Sequence, residues 1–147
     1  MATLSTPGTP VGGLKRVGQI VGTNDLRFQA GQNGLAIAVE LLSTHTPGAP
    51  VVDGKGMFIG FISEFDVLKA LEAGKDLSKL TAEGIMAKDR IAVGEDTTIE
   101  EAVKIMEDKR LLNLPVKKNS GEVMYCVTRH DLLRAWIGLG LGMGLEA

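Results

Sequence analysis

Only one cysteine, Cys126, occurs in the 147 residues, which excludes an intramolecular disulfide. Its apolar neighbours favour a buried, unreactive side chain. Aromatic residues make up 4% of the chain, so any core must rest on aliphatic side chains and methionine. No apolar run approaches the roughly 20 residues of a transmembrane helix, and no secretory signal opens the sequence. We therefore expect a cytoplasmic protein with no membrane partner.

Neither sign of charge is in large excess. Lys and Arg number 16 and Asp and Glu 18, a formal net charge of −2, so there is no electrostatic case for a nucleic acid partner. The two histidines, His45 and His130, have no other ligand residue at the spacing of a metal site. No nucleophile elbow, Walker loop or dinucleotide-binding glycine motif occurs. We expect no enzyme activity, no metal site and no required cofactor.

What the chain does contain is an internal repeat. The segment Ile62–Ala70 recurs as Val127–Ala135, 65 residues later, and both segments pass from an apolar run through a hydroxyl residue to an aspartate. Pro50 and Pro115 keep the same offset. A repeat of this length indicates one supersecondary unit built twice, with a cleft between the copies.

Each copy predicts the element order β-α-β-β-α. In the first copy, Leu35, Val39 and Leu42, with Ala38 and Leu41 beside them, form an apolar stripe at helical spacing, which we expect to face the core. In the second copy, Thr97 is expected to cap a helix, with Glu100 completing a capping box. A single copy buries too little surface to be stable alone. The predicted fold class is therefore α/β, with two β-α-β-β-α repeats packed as a pseudo-two-fold pair.

The repeat also predicts how the chain is divided. We expect a flexible N-terminal tail over 1–13, a first repeat over 14–74, a connector over 75–87, a second repeat over 88–137 and a Gly-rich C-terminal tail over 138–147. The tails lack apolar periodicity and are rich in residues that break regular structure.

The repeated Ser/Thr-x-x-Asp motif has two interpretations. Ser63 and Asp66, like Thr128 and Asp131, have the spacing of a capping box, which would stabilise each helix by about 1 kcal/mol and bind nothing. Alternatively, the helix start and its hydroxyl suit a phosphate, and the aspartate one turn in can accept hydrogen bonds from both hydroxyls of a ribose. We call the site around Asp66 the first cleft and that around Asp131 the second cleft.

The surrounding residues resemble a known family. From about Lys15 to Ile137 the chain is similar to a tandem cystathionine-β-synthase (CBS) domain pair, or Bateman module. The landmarks are Ala49–Asp53, Gly60–Leu68, Leu114–Val116 and Val127–Leu133. The resemblance implies a non-catalytic regulatory module that binds an adenosine-containing ligand such as AMP, ADP, ATP or S-adenosylmethionine, and that forms a homodimer.

The resemblance also implies which residues bind the ligand. Asp66 and Asp131 would hold ribose hydroxyls, and Ser63 and Thr128 would approach phosphate. The adenine would be flanked by Ala49, Pro50, Asn113, Leu114 and Pro115. One departure is that Tyr125 stands where the first copy has Gly60, so a phenol is expected either to fill part of the second cleft or to change helix–strand packing.

The two clefts are predicted to differ in charge. Arg129 begins the helix of the second Ser/Thr-x-x-Asp motif, and Lys88 and Arg90 lie at the start of the same repeat. These positive charges predict that the second cleft favours phosphate. Glu64 begins the helix of the first motif, and its carboxylate would repel a phosphate. We hypothesise that the second cleft takes the nucleotide phosphates, whereas the first is empty or takes a less anionic adenosyl ligand.

These features predict a module that senses an adenine nucleotide or another adenosyl ligand and transmits its occupancy to a homodimer or to an unidentified effector protein. The main alternative is a ligand-free structural or dimerisation module, in which the repeated motif only caps helices. A small enzyme that uses the cleft is a third possibility, and it would require turnover of a bound nucleotide.

Overall fold

The computed structural model describes residues 13–21, 24–89 and 91–138, so the two expected tails lie almost entirely outside the described residues. The first repeat contains β1 (Phe28–Gln29), α1 (Gly34–Thr44), β2 (Gly48–Val52), β3 (Phe58–Ser63) and α2 (Glu64–Glu72). A short helix, α3 (Ala82–Ile85), lies in the connector. The second repeat contains β4 (Val93–Gly94), α4 (Ile99–Lys109), β5 (Asn113–Lys117), β6 (Val123–Thr128) and α5 (Arg129–Ile137).

Each repeat is built on a three-stranded sheet. In the first sheet β2 pairs parallel with β1 and antiparallel with β3, and in the second β5 pairs in the same way with β4 and β6. The hairpin turns contain Gly56 and Gly121, whose φ angles of 82° and 98° would strain any residue with a side chain. The predicted α/β fold of two β-α-β-β-α units is confirmed.

Aliphatic side chains form one core in each repeat. Side chains of β1, β2, β3, α1 and α2 make the first core, and the corresponding elements make the second. A smaller cluster of Val52, Phe58 and Val123 lies between the two sheets. The repeats therefore share buried surface, which explains how units of this size are stable.

The segment that precedes each repeat packs into the core of the other repeat. Val17 is buried in the second core, and its N–H donates over 2.9 Å to the carbonyl two residues before α4. Ala82, 65 residues later, is buried in the first core and donates over 2.8 Å to the carbonyl two residues before α1. Residues 14–20, expected at the start of the first repeat, thus pack on the second repeat, and the connector packs on the first. A sequence offset does not reveal which copy a flanking segment will contact.

The N-cap of α4, Thr98, lies one residue beyond the predicted cap. Thr98 Oγ1 accepts the Glu101 N–H at 3.0 Å, and Glu101 Oε1 accepts the Thr98 N–H at 2.9 Å. Thr97 instead accepts the N–H of Gly94, in the strand before the helix, at 3.2 Å. Two adjacent threonines, each with an acidic residue three positions on, made both registers compatible with the sequence.

Three of the five apolar residues predicted for the core side of α1 face solvent. Leu35, Val39 and Leu42 are 48%, 56% and 68% exposed, whereas Ile37 and Leu41 are buried. The helix is apolar on both sides, so its periodicity did not identify the buried side.

Tyr125 alters how the N-terminal segment packs on the second repeat. In the first repeat, Gly60 lies so close to the connector that a side chain there would meet Met86 and would approach the Ala87 carbonyl oxygen to 2.9 Å. In the second repeat, the Tyr125 hydroxyl donates to the carbonyl of Val17 over 2.7 Å. The phenol therefore holds the N-terminal segment against β6, a contact that the comparison of Gly60 with Tyr125 did not predict.

Tyr125 should make the stability of the protein sensitive to alkaline pH. Burial, and to a lesser extent the nearby Asp131 and Glu95 carboxylates, raises the pKa of Tyr125 to about 12. A raised pKa means that the neutral phenol stabilises the fold, fully below pH ~10 and progressively less as pH rises towards 12. Tyr125→Phe should lose about 1–3 kcal/mol at neutral pH because the Val17 carbonyl loses its donor.

The measurement is urea unfolding of both proteins at pH about 8 and about 11. The wild type should lose more free energy of unfolding over this interval than Tyr125→Phe does. Some loss will remain in the variant because burial also raises the pKa of Cys126 to about 12. Equal losses in the two proteins would contradict this role for Tyr125.

Candidate functional site

The start of α2 forms the first of two equivalent sites. Asp66 Oδ2 accepts the Ser63 N–H at 2.8 Å and the Ser63 hydroxyl at 2.9 Å, and Ser63 Oγ accepts the Asp66 N–H at 3.1 Å. The Glu64 N–H donates to the Pro47 carbonyl over 2.9 Å. Among the described residues, Asp66 Oδ1 receives no hydrogen bond, so one oxygen of this half-buried carboxylate remains for another donor.

The start of α5 repeats this geometry in a more buried setting. Asp131 Oδ2 accepts the Thr128 N–H at 2.9 Å and the Thr128 hydroxyl at 3.1 Å, and Thr128 Oγ1 accepts the Asp131 N–H at 3.2 Å. Asp131 is only 5% exposed. Both motifs are therefore complete capping boxes, and each hydroxyl proton points at its own aspartate. A phosphate could accept from either hydroxyl only if that hydroxyl rotated.

The residues expected to flank adenine lie on the middle strands of the two sheets, where Ala49 belongs to the core of the first repeat and Leu114 to the core of the second. Ala49, Pro50, Leu114 and Pro115 are buried on the middle strands β2 and β5. Asn113 is 5% exposed, and its side-chain amide donates over 2.7 Å to the carbonyl of Gly48, which is its own counterpart in the first repeat. Asn113 thus joins the repeats, and its amide nitrogen is not directed at a ligand.

The charged residues are not arranged around the clefts as expected. Lys88 is exposed and follows Ala87, which pairs with Phe61 of β3 through hydrogen bonds of 2.8 and 3.0 Å, so Lys88 lies beside the first repeat rather than the second. Arg90 lies outside the described residues. Arg129 and Glu64 line grooves on the outer helix faces. The charge difference predicted for the clefts is therefore largely a difference between these outer faces.

The two outer grooves occupy equivalent positions on the two repeats. The groove between α1 and α2 has a volume of about 340 Å³, and the groove between α4 and α5 about 630 Å³. Glu64 is the charged residue lining the first groove, whereas Glu107, Arg110 and Arg129 line the second. The side chains that line the first groove thus carry a net negative charge, and those that line the second groove carry a net positive charge.

Arg27 links the two repeats, although no sequence motif indicated this role. Its guanidinium donates to the carbonyls of Val123 and Met124 on β6, over 2.7 and 2.8 Å. The neighbouring Cys126 thiol is buried, and burial raises its pKa to about 12, so the thiol stays protonated at neutral pH. Arg27 and Asn113 both tie one repeat to the other by donating to backbone carbonyls.

Neither a cluster of metal-ligating side chains nor a membrane-spanning helix is present in the part of the chain that the structure describes. Over 13–21, 24–89 and 91–138, no group of three or more His, Cys, Asp or Glu side chains could hold a metal ion. None of the helices in those ranges has both the length and the apolarity of a membrane span.

Comparison with known sequences identifies the repeat. Residues 18–73 and residues 82–138 each match the CBS domain family. The uncharacterised protein MK0525 of Methanopyrus kandleri is 30% identical over 119 residues, which cover 80% of this chain and 61% of that protein. The chain therefore spans about three fifths of the length of this relative.

Solved structures show the same architecture. The CBS domain pair of protein MJ0100, in complex with 5′-methylthioadenosine and S-adenosyl-L-methionine, matches with a TM-score of 0.69 at 25% identity, over 81% of this chain and 93% of that chain. CBSX2 from Arabidopsis thaliana, in complex with AMP, matches with a TM-score of 0.70 at 20% identity, over 82% of this chain and 94% of that chain. Both structures share the two-repeat fold.

Proposed function

Because the chain belongs to the CBS-domain family, as a tandem pair of repeats, we propose that it is a non-catalytic regulatory module that senses an adenosine-containing ligand. The observation that carries the proposal is the duplicated strand-to-helix start, in which an aspartate lies one turn into each helix. The adenosyl ligands of the MJ0100 pair, at 25% identity, support this ligand class.

The ligand would bind in the first cleft. Asp66 keeps one carboxylate oxygen that receives no hydrogen bond from the described residues, and that oxygen can accept from the two hydroxyls of a ribose. Lys88 lies beside the same repeat, where its charge would attract the phosphate of AMP, ADP or ATP. A neutral nucleoside has no phosphate for Lys88 to attract, so its binding would depend on the hydrogen bonds to Asp66 alone.

The second cleft is a weaker candidate, contrary to the hypothesis drawn from the sequence. Asp131 is 5% exposed, so a sugar could reach it only after rearrangement of its neighbours. Arg129, which was expected to hold phosphates there, lines the outer groove between α4 and α5. Assignment of the ligand to the first cleft therefore depends on burial as well as charge.

Ligand occupancy would be transmitted through the contact between the repeats. Asn113, Arg27 and the shared apolar cluster connect the two sheets, so a ligand that binds one arrangement better would shift the population towards it. A homodimer or a separate effector protein would respond to that shift. The cytoplasmic location stays a prediction.

The test is a melting experiment with AMP, ADP, ATP, S-adenosylmethionine and 5′-methylthioadenosine. A ligand present at one hundred times its dissociation constant should stabilise the protein by about 2.7 kcal/mol, which raises the melting temperature by several degrees. Guanosine monophosphate serves as the control and should give a smaller shift. The absence of any shift with all five adenosyl compounds would reject the proposal.

A second candidate function is a ligand-free structural or dimerisation module. The completeness of both capping boxes favours it, because each aspartate and hydroxyl already has a partner within its own helix start. In that case the melting temperature would not respond to adenosyl ligands. Asp66→Ala and Asp131→Ala would then each cost about 1 kcal/mol of stability and nothing else.

A further inference from the structure

The edge of β6 is covered by residues that precede β1. The Cys126 N–H donates to the carbonyl of Asn24 over 2.9 Å. The half-buried guanidinium of Arg27 donates to the carbonyls of Val123 and Met124 over 2.7 and 2.8 Å. The strand that leads into the second cap is therefore held by a segment of the first repeat.

The position equivalent to Arg27 in the second repeat is an alanine. Arg27 immediately precedes β1, and Ala92 immediately precedes β4, 65 residues later. Ala92 packs against the cluster of Val52, Phe58 and Val123 between the two sheets. Its methyl group has no hydrogen-bond donor and is too short to cover the start of β3 as Arg27 covers the start of β6. The two clefts thus differ at one equivalent position.

The Cys126 side chain shows on which side of the second sheet Arg27 lies. Tyr125 and Val127 point into the second core, so Cys126 between them points to the opposite side of the strand. On that side, β5 and β6 pack against β2 of the first sheet. Burial is the main cause of the raised pKa of Cys126, which the charge of Arg27 lowers and the charge of Asp131 raises further. The guanidinium and the Asp131 carboxylate therefore both lie near this thiol, at the second cleft.

The burial of the two aspartates follows the same difference between the clefts. Asp131, in the cleft that contains Arg27, is 5% exposed. Asp66, in the cleft that has Ala92 instead, is half-buried and keeps one carboxylate oxygen that receives no hydrogen bond from the described residues. The cleft with the guanidinium is thus the closed one, and the cleft with the methyl group is the more open one.

We propose that Arg27 closes the second cleft and that Ala92 leaves the first cleft open, so that this one position decides which repeat binds the adenosyl ligand. This inference rests on the proposed function and identifies the residue that selects between the two clefts. Each cleft is thereby controlled by a residue of the opposite repeat. Selectivity of this kind is obtained by obstructing one site rather than by improving the other.

The strength of the obstruction follows from the hydrogen bonds of Arg27. A ligand that enters the second cleft has to displace the guanidinium from the carbonyls of Val123 and Met124. Both bonds have a charged donor and are stronger than bonds between neutral groups. Their loss weakens binding on the order of 100-fold relative to a cleft that is already open.

The first test is titration calorimetry with 5′-methylthioadenosine. The wild type should bind one equivalent, and Arg27→Ala should bind a second one, because no guanidinium has to be displaced. Ala92→Arg, the matched change at the equivalent position, should weaken binding in the first cleft on the order of 100-fold. In the double variant, binding should be lost on Asp131→Asn and should persist on Asp66→Asn.

The second test needs no ligand. Cys126 is the single cysteine of the chain and is 2% exposed, so its labelling by N-ethylmaleimide reports on the second cleft. Arg27→Ala should be labelled at least about 10-fold faster than the wild type. Asn113→Ala is the control because it also removes a hydrogen bond between the repeats, and its rate should stay within about threefold of the wild type. Arg27→Met, which keeps the aliphatic part of the side chain, replaces Arg27→Ala if circular dichroism shows that the alanine variant is unfolded.

Three results would overturn the proposal. They are labelling of the Arg27 variants at the wild-type rate, a wild type that binds two equivalents, and an Arg27→Ala variant that still binds only one. If no adenosyl compound binds to the wild type or to any variant, but Arg27→Ala is labelled faster, ligand sensing fails while the closure of the second cleft by Arg27 stands. Failure of the closure is thus distinguishable from failure of the proposed function.

Discussion

Asp66→Asn is expected to weaken binding of the adenosyl ligand by roughly 10- to 100-fold. The carboxylate would accept two charge-assisted hydrogen bonds from a ribose, each worth about 1.5–3 kcal/mol, and the neutral amide replaces them with weaker ones. The asparagine oxygen can still accept the Ser63 N–H, so the helix cap and the fold should survive. Titration calorimetry on the wild type and the variant measures the change.

Asp131→Asn is the matched control, since it makes the same chemical change at the equivalent cap. Asp131 is buried and lies outside the first cleft, where the ligand is proposed to bind, so the affinity should stay within about threefold of the wild type. If instead Asp131→Asn removes binding and Asp66→Asn does not, the ligand occupies the second cleft, as the sequence suggested. Loss of binding in both variants would show that the two clefts act together.

Asn113→Asp is expected to destabilise the protein by about 3–5 kcal/mol at neutral pH. The Asn113 amide donates over 2.7 Å to the carbonyl of Gly48, and both lie in the contact between the repeats. A carboxylate would place a buried negative charge against that carbonyl oxygen, which is the cost of an uncompensated buried ion. Urea unfolding measures the loss.

Asn113→Ala separates the lost hydrogen bond from the added charge. It should cost only about 1–3 kcal/mol, the penalty for an unsatisfied buried carbonyl. Asn113→Asp should also recover part of its stability near pH about 4, because a protonated carboxyl can donate to Gly48. If the two variants are equally stable at neutral pH, the side chain at position 113 is not buried against the Gly48 carbonyl.

The periodicity and the 65-residue offset were sufficient to predict the fold. Each copy shows apolar strands, turn glycines and a helix start in the same order, and these local signals agree with one another. The strand pairs and both capping boxes could be expected because they depend on residues close in sequence. Thr98 and Thr97 compete as caps within one turn, so only tertiary structure determined the register.

Long-range placement could not be predicted in the same way. Lys88 is close to the second repeat in sequence but follows a residue paired with β3 of the first, because the connector packs on the first core. Glu64 and Arg129 adjoin the cap residues but line the outer grooves, because successive helix residues point in directions about 100° apart. Only the three-dimensional structure therefore shows which charged residues lie near the clefts and which line the outer grooves.

The most direct test of the central claim is an amide chemical-shift titration of the wild-type protein with 5′-methylthioadenosine. Binding in the first cleft should shift the amides of Ser63 and Asp66 strongly, since their cap accepts the sugar, while those of Thr128 and Asp131 should change little. Shifts confined to Thr128 and Asp131, or no shift at either helix start at saturating ligand, would contradict it.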